Sequence, residues 1–220
     1  QQQRVALARV LVRRPRLLLL DEPFSALDAP LREGIRPELR RILKQFNVPV
    51  LLVTHDHNEV IALGDNVTVV DEGRIRQCGP VHDVFNRPED MSVARIVGME
   101  TVVPGRVVNS QDGLATVAIG DRELVAVSPS GVGAEVEVCI RAADVILQKG
   151  ESTSASPRNR LNVRVQSSVP DGALVRVHLD AGFPLTALVT RPACEELGIQ
   201  PGAPLTVLIK APAIHLIPRG

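Results

Sequence analysis

The residues with the clearest chemical potential are two adjacent carboxylates, Asp21 and Glu22, which follow a run of four leucines at residues 17–20. The run is too short for a helix and too apolar for a surface strand, so it predicts a buried parallel strand covered on both faces. Ligands of parallel α/β sheets bind beyond the carboxyl ends of the strands. At such an edge one carboxylate can hold Mg²⁺ on the phosphates of a nucleoside triphosphate, while the other deprotonates the attacking water. The alternative is that the two residues merely end a strand before the turn at Pro23.

Further polar residues are expected at the same edge of the sheet. Ser25 and Asp28 lie just beyond the carboxylates, and His55 follows the next predicted buried strand, residues 50–53. Because the carboxyl ends of neighbouring parallel strands meet at one edge, His55 could contact a γ-phosphate there. Apolar residues at helical spacing within 31–46 predict an amphipathic helix between the two strands. Strand, helix and strand in this order indicate an α/β layered fold.

Together these motifs resemble those of the ABC ATPase family. Residues 1–9 are similar to the segment after the signature motif of that family, and residues 17–22 are similar to its Walker B strand and catalytic glutamate. Residues 25–28 resemble its D-loop, and His55 resembles its switch histidine. The resemblance covers residues 1–98 and implies the C-terminal part of a P-loop nucleotide-binding domain.

The resemblance also implies the roles of these residues. Asp21 would hold Mg²⁺ through water, Glu22 would act as the general base, and His55 would sense the γ-phosphate. Ser25 and Asp28 would lie at the nucleotide and dimer interface. ATP and Mg²⁺ are therefore the cofactors expected for this part of the chain.

No GxxxxGK[ST] phosphate-binding loop occurs in the sequence. In the ABC ATPase family this loop, the Q-loop and the signature motif proper should precede the position of Gln1. Without the backbone cradle and its lysine, nucleotide phosphates have little to bind. We therefore expect the chain alone to be inactive as an ATPase, and we expect it to be a fragment of a longer gene product.

The character of the sequence changes near residue 98, where helical periodicity gives way to short Val-rich segments separated by turn residues. A polar stretch at residues 149–154 indicates a second boundary. Residues 138–147 line up with residues 207–216, which predicts two related β units in tandem. The predicted domains are therefore 1–98, 99–149 and 150–220.

A second set of residues has the chemistry of an anion site. A tetrahedral dianion requires several N–H and O–H donors and a nearby cation. Ser156 could donate a hydrogen bond through its hydroxyl, and Asn159 could donate through its amide. Lys210 could supply a compact charge, and Arg158 could fix the segment or add charge. The alternative is that residues 156–159 only end a linker and that Lys210 is a solvated strand residue.

The tandem β units resemble the OB-like accessory domains, called TOBE or Mop domains, of importer-type ABC ATPases. Residues 156–159 together with Lys210 resemble the molybdate-binding kind. Two departures are Pro157, where that kind commonly has Ala, and Pro212, where it often has a small hydroxyl residue. The resemblance implies molybdate or tungstate as the ligand. The expected fold class is therefore α/β, with a nucleotide-binding segment followed by a β-rich tandem OB-like domain.

The composition argues against several other classes of function. Lys plus Arg and Asp plus Glu both number 25, so no net field favours nucleic acid or an acidic membrane surface. Trp and Tyr are absent, which argues against the base stacking used by single-strand binders. The three cysteines form no CxxC pair, and no apolar run has the length of a membrane span. We therefore expect no nucleic-acid partner and no zinc site.

These observations predict the ATP-hydrolysing subunit of an ABC importer for molybdate or tungstate. The resemblance implies a homodimer on the cytoplasmic face of the membrane, beneath two transmembrane permease subunits, with an extracytoplasmic substrate-binding protein on the other side. Two alternatives stay open. The chain could belong to an importer of sulfate, iron, sugar or polyamine with a structural TOBE domain, or it could be a non-enzymatic molybdate-binding module.

Overall fold

In the computed structural model, the described residues are 15–150 apart from 26 and 47, and 156–219, together with the single positions 9 and 12. The segment predicted to follow a signature motif, residues 1–9, therefore lies outside the described residues except for Arg9. Most of the predicted polar linker at residues 149–154 also lies outside them.

The first part of the chain contains a two-stranded parallel sheet and two helices. Strand β1 (Leu18–Asp21) pairs in parallel with β2 (Val50–Val53). Helix α1 (Ala29–Phe46) connects the two strands, and helix α2 (His57–Leu63) follows β2. The predicted order of strand, helix and strand is therefore confirmed.

The side chains of this parallel sheet alternate between its two faces. Leu18 is buried, whereas Leu19 and Leu51, which lie opposite each other, are exposed, with 62% of the Leu19 surface accessible. Successive strand residues point to opposite faces, and among the described residues only one face is covered. The prediction of a strand covered on both faces is therefore wrong for the described chain.

Helix α1 begins at a cap formed by Asp28. The Asp28 Oδ1 accepts a hydrogen bond of 3.0 Å from the Leu31 N–H and so satisfies one of the free donors of the first turn. Leu39 is buried and belongs to the apolar stripe that the sequence predicted. The cap and the stripe together explain why this segment is helical.

A hairpin and two short helices complete the first part of the chain. Strands β3 (Asn66–Asp71) and β4 (Arg74–Pro80) are antiparallel, and helices α3 (Val81–Asn86) and α4 (Met91–Ile96) follow them. These elements share a small apolar core that consists of Val69, Val84, Phe85, Val93 and Val97.

The remaining residues form strands, one short helix and two one-turn 3₁₀ segments. The strands of the first β unit are β5 (Thr101–Gln111), β6 (Leu114–Ile119), β7 (Arg122–Val127), β8 (Glu135–Ile140) and β9 (Ile146–Gln148). Those of the second are β10 (Asn159–Asp171), β11 (Leu174–Asp180), β12 (Pro184–Thr190), β13 (Pro204–Ile209) and β14 (Ile214–Pro218). The 3₁₀ segments are Ala142–Asp144 and Ala211–Ala213, and helix α5 is Arg191–Glu196.

The two β units exchange their last strands. One antiparallel sheet has the order β14-β8-β5-β6-β7, and the other has the order β12-β11-β10-β13-β9. Both sheets contribute to one continuous apolar core. The repeat predicted from the sequence is confirmed, because each unit has four strands, a 3₁₀ segment and a final strand in the same order. The domain boundaries at residues 98 and 149 stay predictions, since each sheet contains a strand contributed by the other unit.

Helices α3 and α4 connect the first part of the chain to the β units. A small buried cluster at this junction consists of Ala94, Cys139 and Ile217. Burial raises the pKa of the Cys139 thiol to about 12, so this cysteine stays protonated and acts as an apolar side chain. Beside the cluster, the His215 Nε2 lies 2.8 Å from the Pro88 carbonyl oxygen. Apolar packing and a partly buried polar contact therefore both join the two parts.

Candidate nucleotide and oxyanion sites

The carboxyl ends of β1 and β2 bring Glu22 and His55 together. The Glu22 N–H donates to the Val53 carbonyl oxygen over 2.9 Å and extends the ladder by one residue. The His55 Nδ1 lies 2.6 Å from the Glu22 Oε1. The ring is open to solvent, with 84% of the His55 side chain accessible. A carboxylate and an imidazole in contact can accept and transfer a proton. The catalytic roles of Glu22 and His55 stay predictions.

Glu22 has a backbone conformation that residues other than glycine rarely adopt. Its φ of 44° lies in the left-handed region. The Ser25 Oγ donates a hydrogen bond of 2.9 Å to the Glu22 carbonyl oxygen and so stabilises the turn. Strained backbone positions of this kind cluster at functional sites, where the surrounding structure holds them in place. Ser25 therefore has a structural contact here, and its predicted role at a nucleotide interface stays a prediction.

The Glu22 carboxylate raises the pKa of His55, first through their hydrogen bond and then through its negative charge. We expect Glu22→Gln to lower the pKa of His55 toward its ordinary value, because an amide does not stabilise an imidazolium as a carboxylate does. The measurement is an NMR titration of the histidine ring protons, with Glu72→Gln as the control on an exposed glutamate elsewhere. An unchanged pKa of His55 in Glu22→Gln would show that the pair does not form in solution.

A hydrogen-bond network that the sequence did not predict holds the backbone on both sides of His55. The Thr54 Oγ1 donates to the Glu59 Oε2 over 2.6 Å and accepts from the Asp56 N–H over 3.1 Å. Asp56 caps helix α2, because its Oδ1 accepts a hydrogen bond of 2.8 Å from the Asn58 N–H. Glu59 is buried. The residues before and after His55 are thus tied to the start of α2.

Arg36 of helix α1 neutralises both acids of this network. Its Nη2 lies 2.5 Å from the Asp56 Oδ2 and 3.9 Å from the Glu59 Oε1. Burial tends to raise the pKa of Asp56, but the Asn58 N–H and the charge of Arg36 outweigh it, so the pKa is lowered. A buried carboxylate requires such a partner, and α1 is therefore fixed against α2. In the sequence only the spacing of Arg32 and Arg36, four positions apart in α1, marks this network, and it does not identify their acidic partners.

Asp21 and Asp28 lie at opposite ends of the same turn region. Asp21 ends β1 and is exposed, and within the described ranges no hydrogen bond or ion pair engages its carboxylate. Mg²⁺ binds through one or two carboxylates together with waters and substrate phosphates. The described part of the chain contains no group of three or more potential metal ligands, and the role of Asp21 toward Mg²⁺ stays a prediction. Asp28 caps α1, and its role at a dimer interface stays a prediction.

The residues predicted to bind an oxyanion are of two kinds. Three of them are exposed, namely Ser156, Arg158 and Lys210. Asn159 is buried, with 4% of its surface accessible. Its Nδ2 donates to the carbonyl oxygens of Val125 and Ile209 over 2.9 and 3.2 Å, and its Oδ1 accepts from the Val125 N–H over 2.6 Å. Both amide hydrogens of Asn159 are thus bound to backbone, and the residue joins β7 to β10 and β13.

Arg158 and Lys210 are the next residues beyond the end of one ladder. Asn159 and Ile209 form the last partner pair between β10 and β13, so a cation follows at this end of each strand. Neither cation forms an ion pair with another residue of the described ranges. Arg158 also lines an open cleft of about 380 Å³ together with Asn109 and Asp112, whereas Ser156 and Lys210 do not line it. Neighbouring unpaired cations create a local positive potential that favours an anion.

Comparisons with known proteins agree with both parts of the chain. A model for the ABC transporter family matches residues 1–25, and a model for the TOBE domain matches residues 155–216. The molybdate/tungstate import ATP-binding protein WtpC of Pyrococcus horikoshii is 40% identical over 220 residues, which cover 99% of this chain. The molybdenum import ATP-binding protein ModC of Pseudomonas fluorescens is 36% identical over 222 residues and 97% of this chain. The chain spans 61% of the length of each of these relatives.

Among solved structures, the cytoplasmic molybdate-binding protein ModG with molybdate bound is 29% identical to this chain. The match has a TM-score of 0.48 and covers 54% of this chain and 96% of that one. The identity to relatives over nearly the whole chain and the two family matches lead to one assignment. Over nearly its whole length this chain is similar to the ATP-binding subunits of molybdate and tungstate importers, and its two family matches are to an ABC transporter model at the start and a TOBE domain model at the end.

Proposed function

We propose that the chain forms part of the ATP-hydrolysing subunit of an ABC importer for molybdate or tungstate. The observation that carries the proposal is the 2.6 Å contact between Glu22 and His55 at the carboxyl ends of two parallel strands, beside Asp21. A carboxylate at this edge, next to an imidazole, has the chemistry of a base for the attack of water on a phosphate. The homology to import ATP-binding proteins supports the same function.

Glu22 and His55 have complementary roles at the γ-phosphate in this proposal. The Glu22 carboxylate accepts the proton of the attacking water, and the His55 ring orients that carboxylate through Nδ1. Because Glu22 raises the pKa of His55, the ring is charged over a wider pH range and stabilises phosphate oxygens. Asp21 is the residue that would hold Mg²⁺ through water, and the ion would supply positive charge to the nucleotide phosphates.

A test of ATP hydrolysis requires a protein that contains a phosphate-binding loop, since this sequence has no GxxxxGK[ST]. A chimera can supply the loop by restoring the segment of the Pyrococcus horikoshii relative that this chain does not cover. We expect the chimera to hydrolyse ATP. A folded chimera that binds ATP and does not hydrolyse it would contradict the enzymatic part of the proposal.

The proposal includes the partners of an importer. The subunit works as a homodimer on the cytoplasmic face of the membrane, with two transmembrane permease subunits and an extracytoplasmic substrate-binding protein. The homology to import ATP-binding proteins supports this arrangement. None of the helices in the described ranges is both long enough and apolar enough to cross a bilayer.

The oxyanion binds, in this proposal, beside the end of the ladder between β10 and β13. Arg158 and Lys210 contribute two positive charges there, and the Ser156 hydroxyl contributes a donor. Asn159 has a different role from the one expected from the sequence. Since both of its amide hydrogens bind backbone carbonyls, it positions the start of β10 instead of donating to the anion.

We expect Lys210→Ala to weaken molybdate binding by about 10- to 100-fold, because a hydrogen bond to a charged group contributes roughly 1.5–3 kcal/mol. The measurement is isothermal titration calorimetry of molybdate into the chain, in excess sulfate. Arg164→Ala is the matched control, because it removes a positive charge from the other end of the same ladder, where Arg164 pairs with Pro204. Equal weakening by the two variants would indicate an effect of net charge and would contradict a site at Lys210.

A further inference from the structure

The repeat places equivalent residues at equivalent points of the two sheets. Thr101 pairs with Ile140 at the end of the ladder between β5 and β8, as Asn159 pairs with Ile209 between β10 and β13. In each unit a 3₁₀ segment begins two residues after the second member of the pair. The residues just beyond the two ladders therefore correspond: Glu100 to Arg158, Arg141 to Lys210, and Ala142 to Ala211.

The hydrogen bonds of Thr101 and Asn159 are equivalent in the two units as well. The Thr101 Oγ1 accepts a hydrogen bond of 3.1 Å from the Thr186 N–H of β12, as the Asn159 Oδ1 accepts one from the Val125 N–H of β7. Strands β7 and β12 are the third strands of their units. Each unit therefore uses the first residue of its first strand to bind the third strand of the other unit.

The two units differ in the side chain that lies just beyond the end of the strand ladder. In the first unit the Glu100 Oε2 accepts a hydrogen bond of 3.0 Å from the Ala142 N–H, and the Glu100 Oε1 lies 3.9 Å from the Arg176 Nη1. Only 18% of the Glu100 side chain is accessible. In the second unit Arg158 stands in the place of Glu100, and no side chain of the described ranges accepts a hydrogen bond from the Ala211 N–H.

We infer that the Glu100 carboxylate fills, in the first unit, the place that an oxyanion takes in the second. The inference rests on the proposed oxyanion site at Lys210. Charge supports it, because the position of the acidic Glu100 is taken in the second unit by Arg158, and Arg158 and Lys210 together carry two positive charges that a dianion neutralises. The chain therefore binds one oxyanion, although its fold contains two equivalent positions.

Removal of the carboxylate opens the second position to an anion. We expect the native chain to bind one molybdate and Glu100→Ala to bind two, because the Ala142 N–H loses its acceptor and Arg176 keeps only its ion pair with Asp171. Glu100→Gln is the matched control, since its side chain has the same size and still offers an oxygen to the Ala142 N–H, and we expect it to bind one. The measurement is the molar ratio in isothermal titration calorimetry of molybdate, with thermal unfolding to verify that each variant is folded.

The outcomes separate this inference from the proposed function. Two molybdates bound by the native chain, or one bound by folded Glu100→Ala, would overturn the inference and leave the site at Lys210 in place. No binding by the native chain would overturn the proposed oxyanion site itself. The double variant Glu100→Ala, Lys210→Ala is expected to bind one molybdate in the first unit and another, in the second unit, about 10- to 100-fold more weakly than the native chain does. Binding of the weakened molybdate alone would also overturn the inference. A native ratio of two would overturn the inference even if Glu100→Ala does not fold.

Discussion

Glu22→Gln in the chimera is expected to lower the rate of ATP hydrolysis by about 10²- to 10⁴-fold, the usual contribution of a general base. Gln has the same size as Glu and keeps an oxygen within reach of the His55 Nδ1, so the strained turn after β1 persists. The amide cannot accept a proton from the attacking water. ATP binding is therefore retained while turnover is lost, and the two are measured separately by nucleotide titration and phosphate release.

Glu72→Gln is the matched control for this experiment. Glu72 is an exposed glutamate with a positive φ of 49°, as Glu22 has, but it lies in the turn between β3 and β4. The same loss of charge at a similarly strained position therefore occurs away from the ends of β1 and β2. We expect its turnover to match that of the unsubstituted chimera. Turnover that survives Glu22→Gln would show that another group accepts the proton and would exclude Glu22 as the base.

The contact at the carboxyl ends of β1 and β2 was predictable because its determinants are local in the sequence. Short apolar runs ended by polar residues indicate buried parallel strands, and parallel pairing brings their carboxyl ends to one edge. The contact between Glu22 and His55 follows from those two facts. The network behind His55 was not predictable, because it joins Arg36 to Asp56, which lie 20 positions apart on different elements. Local patterns identify elements and their ends, but they do not identify which buried charges meet.

The pairing of strands in the β region was likewise not predictable from local sequence patterns. The repeat is visible in the sequence, because residues 138–147 line up with residues 207–216. The pairing partner of each strand is not visible in the sequence, since Ile146 of β9 pairs with Leu208 of β13, in the sheet of the other unit. The same long-range pairing determines the surroundings of Asn159, whose amide binds the backbone of Val125, 34 positions away. The sequence therefore suggested that the Asn159 amide could donate to an anion, whereas in the structure it donates to the carbonyl oxygens of Val125 and Ile209.

Asn159→Ala is expected to destabilise the β region by about 2–4 kcal/mol, because it removes three hydrogen bonds and leaves buried backbone groups without their partners. For a chain of this size the loss corresponds to a fall of roughly 5–15 °C in the unfolding midpoint. The exchange of strands makes the effect large, since one side chain joins β7 of one sheet to β10 and β13 of the other. The measurement is thermal unfolding followed by circular dichroism.

Thr101→Val is the matched comparison, because Thr101 makes the equivalent contact in the first unit with a single hydrogen bond, to the Thr186 N–H. Val keeps the branched shape of Thr, so the expected cost is only about 1 kcal/mol. The contrast between the variants separates two roles for Asn159. A large loss of stability in Asn159→Ala identifies a positioning residue that fixes Arg158 beside Lys210. Native stability together with lost molybdate affinity would instead make the amide a direct donor to the anion, because such a donor contributes to binding and not to the pairing of the strands.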